Sequence, residues 1–171
     1  MNLKGEMLNK SFAQVAEEAD AAWEALLSKI QVAGGTEREK RLFYSTFFHA
    51  FKWPALRSDV NHEYTDVRGE VVNNGFHYYT DPSFWDDYRN KLVLIGMISP
   101  DVTTDIIRSI IDKGEKRDGY MPTFFHGAHA STFISGSWLR GFHDFDLERA
   151  YKLILKTATV PGKGGRRYLD A

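Results

Sequence analysis

Apolar residues recur every three or four positions from Phe12 through Val15, Ala16, Ala19, Trp23, Leu26 and Leu27 to Ile30. That spacing predicts a long amphipathic helix over residues 12–30, with one face turned to a core. Ser11, followed three positions on by Gln14, reads as the capping box that starts it, and Gly34-Gly35 breaks it. Thr36 and Glu39 repeat the box. The helix they open, about 37–52, carries Leu42, Phe43, Thr46, Phe47 and Ala50 and stops before Pro54.

Between 55 and 80 the pattern changes. Tyr64 to Val72 alternates loosely, and Asn73-Asn74-Gly75 reads as a turn between short extended pieces. The expectation is a long excursion with one small hairpin, and loops of that length inside a domain usually carry function. Helical spacing then resumes. A helix over about 83–97 is capped by Asp81 ahead of Pro82, with Leu92, Leu94, Ile95 and Met97 facing inward. Ser99-Pro100-Asp101 caps another, with Val102, Ile106, Ile107, Ile110 and Ile111 as its stripe and Gly114 and Gly119 at its end. Pro122 biases residues 120–125 toward an extended path. A helix rich in small residues spans about 129–141, Asp144-Phe145-Asp146 caps the last at about 147–158, and residues 161–167 form a flexible basic loop.

Six helices with alternating short and long connections predict an all-α fold of antiparallel helix hairpins, as in bundles, α-solenoids and α/α toroids. No fixed-period repeat is visible, which makes the solenoid the weakest of the three. The 171 residues suffice for one domain with a full core. A net charge of -1 leaves no basic footprint for nucleic acid and no polybasic face for a membrane. The chain has no cysteine, hence no disulfide or thiolate metal site, and its start lacks the apolar segment of a secretion signal. Aromatic residues make up 14%, which favours a large core, a carbohydrate-type surface, or both.

Candidate chemistry concentrates in Asp81-Pro82-Ser83-Phe84-Trp85-Asp86-Asp87-Tyr88-Arg89. An indole beside carboxylates suits a sugar, because the ring covers the apolar face of a pyranose while the carboxylate accepts bonds from its hydroxyls. The alternative is a buried Trp85 with an Asp86–Arg89 surface pair. His126-Gly127-Ala128-His129 offers two imidazoles at metal-ligand spacing, a polar-site role, or two structural histidines. Gly162 to Gly165 with Arg166 and Arg167 follows no strand, so a solvated loop is preferred to a phosphate cradle. Ser131, Ser135 and Ser137 lie near His129 but in no nucleophile elbow. Asp59, Glu63, Asp66, Asp86 and Asp87 are the pool from which a carboxylate pair for glycoside hydrolysis would come.

Several blocks in chain order resemble one family. They are Leu42-Phe43-Tyr44-Ser45-Thr46-Phe47-Phe48-His49, Ser58-Asp59-Val60-Asn61-His62-Glu63-Tyr64, and Tyr79-Thr80-Asp81-Pro82-Ser83-Phe84-Trp85-Asp86-Asp87-Tyr88-Arg89. Gly119-Tyr120-Met121-Pro122, His129-Ala130, Trp138-Leu139-Arg140-Gly141-Phe142 and Phe145-Asp146-Leu147-Glu148-Arg149-Ala150-Tyr151 continue the series. Together they resemble glycoside hydrolase family 92, the calcium-dependent, inverting α-mannosidases. The resemblance implies part of an (α/α)6 toroid, with residues 1–35 as a linking-helix region and 36–171 as a partial toroid domain.

The same resemblance implies an exo-acting enzyme on α-mannoside glycans, periplasmic or secreted, with Trp85 and Asp86 as the sugar-binding pair, Asp59 and His129 as further substrate contacts, and Arg89 bracing the helix. It assigns no catalytic residue and no metal ligand here. Ala128 and Gly136 stand where the family has acidic residues, and no Glu lies between Glu115 and Glu148. The water-activating carboxylates and the main calcium ligands are therefore expected beyond Ala171, and the chain alone is expected to be inactive. The competing expectation is a non-catalytic helical module for carbohydrate binding or assembly. Half a toroid leaves an apolar face uncovered, through which self-association is expected.

Overall fold

A computed structural model describes residues 2–123 and 127–162. A short helix α1 (Asn2–Met7) precedes α2 (Phe12–Leu27) and α3 (Glu37–Phe51). Both capping boxes form: Ser11 Oγ accepts from Gln14 N–H and Thr36 Oγ1 from Glu39 N–H, each at 3.3 Å, while the Gln14 and Glu39 side chains accept from the cap amides at 2.7 Å. The apolar stripe of α2 is only partly used. Trp23 packs on Phe48 of α3 with ring centroids 4.3 Å apart, whereas Phe12, at the other end, is 90% exposed.

The excursion holds β1 (Glu63–Thr65) and β2 (Val71–Asn73), antiparallel with Tyr64 opposite Val72. Its turn is not Asn73-Asn74-Gly75, which follows the second strand. The turn spans residues 66–69, because Asp66 Oδ1 accepts from Arg68 and Glu70 N–H at 2.8 and 3.0 Å and Gly69 supplies a φ of 85°. A carboxylate that satisfies two loop amides sets a turn more firmly than an Asn-Gly dipeptide alone.

The expected helix over 83–97 is two helices. A one-turn α4 (Phe84–Asp87) is separated from α5 (Lys91–Ile98) by Tyr88, Arg89 and Asn90. Asn90 leaves helical geometry, and its side chain accepts from Lys91 N–H at 2.7 Å, recapping the chain. Within α5, Leu92 and Ile95 share the buried face, while Met97, two positions after Ile95 and on the opposite side, is 77% exposed. Asp81 caps nothing here; its carboxylate accepts from the Lys113 ammonium at 2.7 Å.

Only Ser99 separates α5 from α6 (Pro100–Lys116), the helix on which the molecule is built. Ile106, Ile107, Ile110 and Ile111 are at most 3% exposed and meet Phe84, Leu92, Ile95 and Phe133 in one cluster. Gly114 does not end α6, as expected from its type, but lies inside it. A Cβ there would sit 3.0 Å from Leu153, so the bare backbone is what lets α8 approach. The helix stops two residues later, where Asp118 and Gly119 take left-handed φ values of 58° and 78°. Then come α7 (His129–Leu139) and α8 (Leu147–Thr159), the latter capped by Asp146 Oδ1 accepting from Arg149 N–H at 2.9 Å. Phe124, Phe125, His126 and residues 163–171 lie outside the described residues, and with them part of the expected extended stretch, the first imidazole of the histidine pair and most of the basic loop.

Candidate functional site

Four residues make α4, and its two sides divide the labour. Phe84, 2% exposed, enters the core beside the Phe133 ring at 6.0 Å, and Asp87 is buried with it. Trp85, 44% exposed, and Asp86 therefore face outward on the same turn. Asp86 accepts from Ser83 Oγ at 2.6 Å, which orients its carboxylate, while Asp87 is tied to Lys91 at 2.7 Å. The two neighbouring carboxylates thus turn to different surroundings and do not frame one cleft.

α7 supplies the wall. Its first residue, His129, is stacked on Tyr88 at 5.4 Å with 9° between planes and is tilted against Trp85 at 5.2 Å. The imidazole is a wedge between the two rings. Its Nε2 is buried and has no hydrogen-bond partner among the described residues. Arg89 closes the group from outside, its guanidinium 6.0 Å from the Trp85 ring and 5.2 Å from the Tyr88 ring, with Nε donating to the Tyr88 hydroxyl at 2.9 Å. Each aromatic contact is worth about 0.5–1.5 kcal/mol and each exposed cation–π contact about 0.5–1 kcal/mol. Arg89 therefore braces the rings instead of forming a surface pair with Asp86.

Of the residues singled out by sequence, Trp85, Asp86 and His129 sit together at the α4–α7 seam. Asp59 sits on another element, exposed in the excursion, where its N–H donates to Glu63 O at 2.8 Å and its carbonyl accepts from His62 N–H at 2.9 Å. Tyr88, part of the same sequence block but given no role there, joins them. Its place three positions after Trp85, one helical turn on, is the signal that it shares that side.

A second polar assembly anchors the excursion to α6. Lys113 is buried, donates to Tyr79 O at 2.6 Å and to Asp81 at 2.7 Å, and lies 4.9 Å from the Tyr78 ring. Burial holds its pKa below the usual lysine value, against the opposing pull of Asp81. One turn on, Lys116 bridges Asp112 at 2.8 Å and Asp66 at 3.1 Å. Burial, and then the charge of Asp105, push the Tyr79 hydroxyl up to about 12. Burial, with Asp112 as the next cause, raises Tyr64 and Tyr78 as well. A lysine three positions after Ile110, on the line of the apolar stripe of α6, is the sequence signal for this anchor. Among the described residues no three His, Asp or Glu side chains converge to hold a metal ion.

The solved structures that this chain resembles share its helical arrangement. An α-mannosidase of family GH92 from Bacteroides thetaiotaomicron superposes with a TM-score of 0.87 at 24% identity, covering 95% of this chain and 23% of its own. The α-mannosidase from Bacteroides thetaiotaomicron solved in complex with mannoimidazole gives 0.83 at 25% identity, covering 92% and 22%. The GH92-family glycosyl hydrolase ccman5 gives 0.76 at 26%, covering 90% and 22%. The architecture is that of part of an α/α toroid, and the chain spans about a quarter of the length of the structures it matches. No curated protein matches it in sequence. The model of the glycosyl hydrolase family 92 catalytic domain matches residues 1–171, and the chain belongs to that family.

Proposed function

We propose that this chain supplies a mannose-binding wall of an α-mannoside-hydrolysing domain, with Trp85 as the platform and Asp86 as the hydroxyl acceptor. The observation that carries it is the outward-facing Trp85–Asp86 pair on one turn, the indole 44% exposed and wedged by His129. An isolated exposed indole is unremarkable; one fixed by a neighbouring ring beside an oriented carboxylate suits a pyranose. His129 serves as a positioning residue, and Asp59 is a separate hydroxyl contact from the excursion. That α2 buries no residue fully supports reading residues 1–35 as a linking region and 36–171 as the toroid portion. The family's calcium and its periplasmic or secreted location are carried over as part of this proposal. No helix among the described residues is long and apolar enough to cross a membrane.

Inverting hydrolysis needs an acid and a base on opposite sides of the bond, with room for water between. Asp86 and Asp87 cannot serve, since Asp87 is buried and paired with Lys91. The chain alone is therefore expected to bind mannose weakly and not to cleave α-mannosides. A mannose titration followed by protein NMR tests the first statement. Saturable shifts around Trp85 and Asp86 that vanish in Trp85→Ala support it, and shifts that survive the substitution overturn it. Robust α-mannoside turnover by the chain, with calcium present, would overturn the second.

A further inference from the structure

We propose that a second carbohydrate subsite lies in the cleft between α6 and α8, roofed by the excursion and distinct from the Trp85 wall. The cleft has a volume of about 560 Å³, within the range of small-ligand sites. Phe76 from the excursion and Phe145 from the approach to α8 supply its apolar surfaces. The Phe76 ring is braced by Tyr64 at 6.2 Å and Tyr78 at 6.5 Å, and Tyr64 and Tyr78 are themselves stacked at 3.8 Å.

The polar lining decides the ligand class. Arg108, Arg149 and the imidazole of His143 share the lining with Asp112, Asp144 and Asp146, so groups of both signs are present in similar number. An anionic ligand meets the carboxylates and a cationic one the guanidinium groups, so the lining favours a neutral ligand that both donates and accepts. Most of the charges are held in place by partners outside the lining, Arg108 by Asp105 at 3.1 Å. Arg149 is forked onto Glu115, with Nε donating at 2.7 Å, and Asp112 is fixed by Lys116 at 2.8 Å. Asn74 donates to Asp112 Oδ1 at 3.1 Å.

The rim is looser. Asp144, 87% exposed, meets Arg108 at 2.9 Å, and exposed ion pairs of this kind contribute about 0–1 kcal/mol, little enough for ligand hydroxyls to displace. Fixed donors and acceptors around two phenyl rings, with one exchangeable pair at the mouth, match a short neutral oligosaccharide. The identification of that oligosaccharide as a mannan-type glycan rests on the preceding proposal; the position of the cleft does not.

The test is a titration of the whole chain with an α-linked mannobiose, read by NMR at the Asn74 side-chain amide and the Arg108 and Arg149 guanidinium groups. The expected result is saturable movement of these signals, none with inorganic phosphate, and an affinity weakened about fivefold or more by Phe76→Ala, as loss of one stacking surface implies. Asp144→Asn, on the exposed rim where folding is not at stake, should weaken the same response while the Trp85 signals keep theirs. Cleft signals that stay still while the Trp85 signals respond would overturn the subsite. So would equal movement with phosphate, or an affinity unchanged by both substitutions. A cleft that responds with Trp85 silent supports the subsite and defeats the Trp85 wall instead.

Discussion

Trp85 and His129 lie 44 positions apart in sequence and 5.2 Å apart as rings, a contact that supports the positioning role proposed for His129. Its Nε2 is buried, and in the proposed role the imidazole works by shape, filling the space between Trp85 and Tyr88. The expected outcome is asymmetric. His129→Phe keeps a ring in place and should leave mannose affinity within about twofold, whereas His129→Ala lets the indole rotate and should weaken it about tenfold, the equivalent of about 1.4 kcal/mol. NMR titration of the Trp85 region measures both. Equal weakening by the two would mean that the imidazole nitrogen itself binds sugar. Sequence reading could name Trp85, Asp86 and His129 from residue type and block resemblance, but the wedge was illegible, because helix α7 and the turn of α4 meet only through tertiary packing.

Element boundaries were legible at three local caps. They were wrong at Asp81, whose partner is distant, and at Asn90 and Asp66, whose own local bonds the residue pattern does not announce. The boxes at Ser11 and Thr36 and the cap at Asp146 are local, and all three form. Asp81 resembled a cap, yet its partner is Lys113, thirty-two residues away, and the helix after it broke at Asn90. The hairpin turn lies at Asp66 because that carboxylate binds its own loop amides, and Lys116 of α6 holds it there.

That arrangement makes the hairpin acid-sensitive. Burial raises the Asp66 pKa, but hydrogen bonds from Glu70, Lys116 and Arg68 outweigh it and leave the carboxyl below its ordinary 3.8. The folded state therefore binds the proton less readily than the unfolded chain. Its stabilisation is fully present above pH 3.8 and is lost as pH falls through the lower folded value. Thermal melts across that window should show stability falling with pH, and Asp66→Asn should flatten the acid limb while lowering stability near neutrality. An unchanged acid slope in Asp66→Asn would remove Asp66 from the cause.

At the scale of the molecule, several large apolar side chains among the described residues stay uncovered. Phe12, Leu42, Met97 and Leu139 are 63–90% exposed, and an apolar groove of about 570 Å³ runs between α3 and α5, lined by Phe43, Phe47 and Leu94. Exposed apolar area of this kind promotes association, because burying it releases about 25 cal/mol for each Å² removed from water. The expected outcome is concentration-dependent self-association in light scattering. Its driving force is apolar, so it should persist or strengthen in high sulfate, whereas association through surface ion pairs would weaken as salt screens them. Leu42→Lys and Met97→Lys, both on exposed positions, should each shift the population toward monomer without lowering thermal stability. A clean monomer at every concentration would show that these residues lie too far apart to act as one face. Monomer recovered by salt rather than by the lysine substitutions would assign the contact to charge.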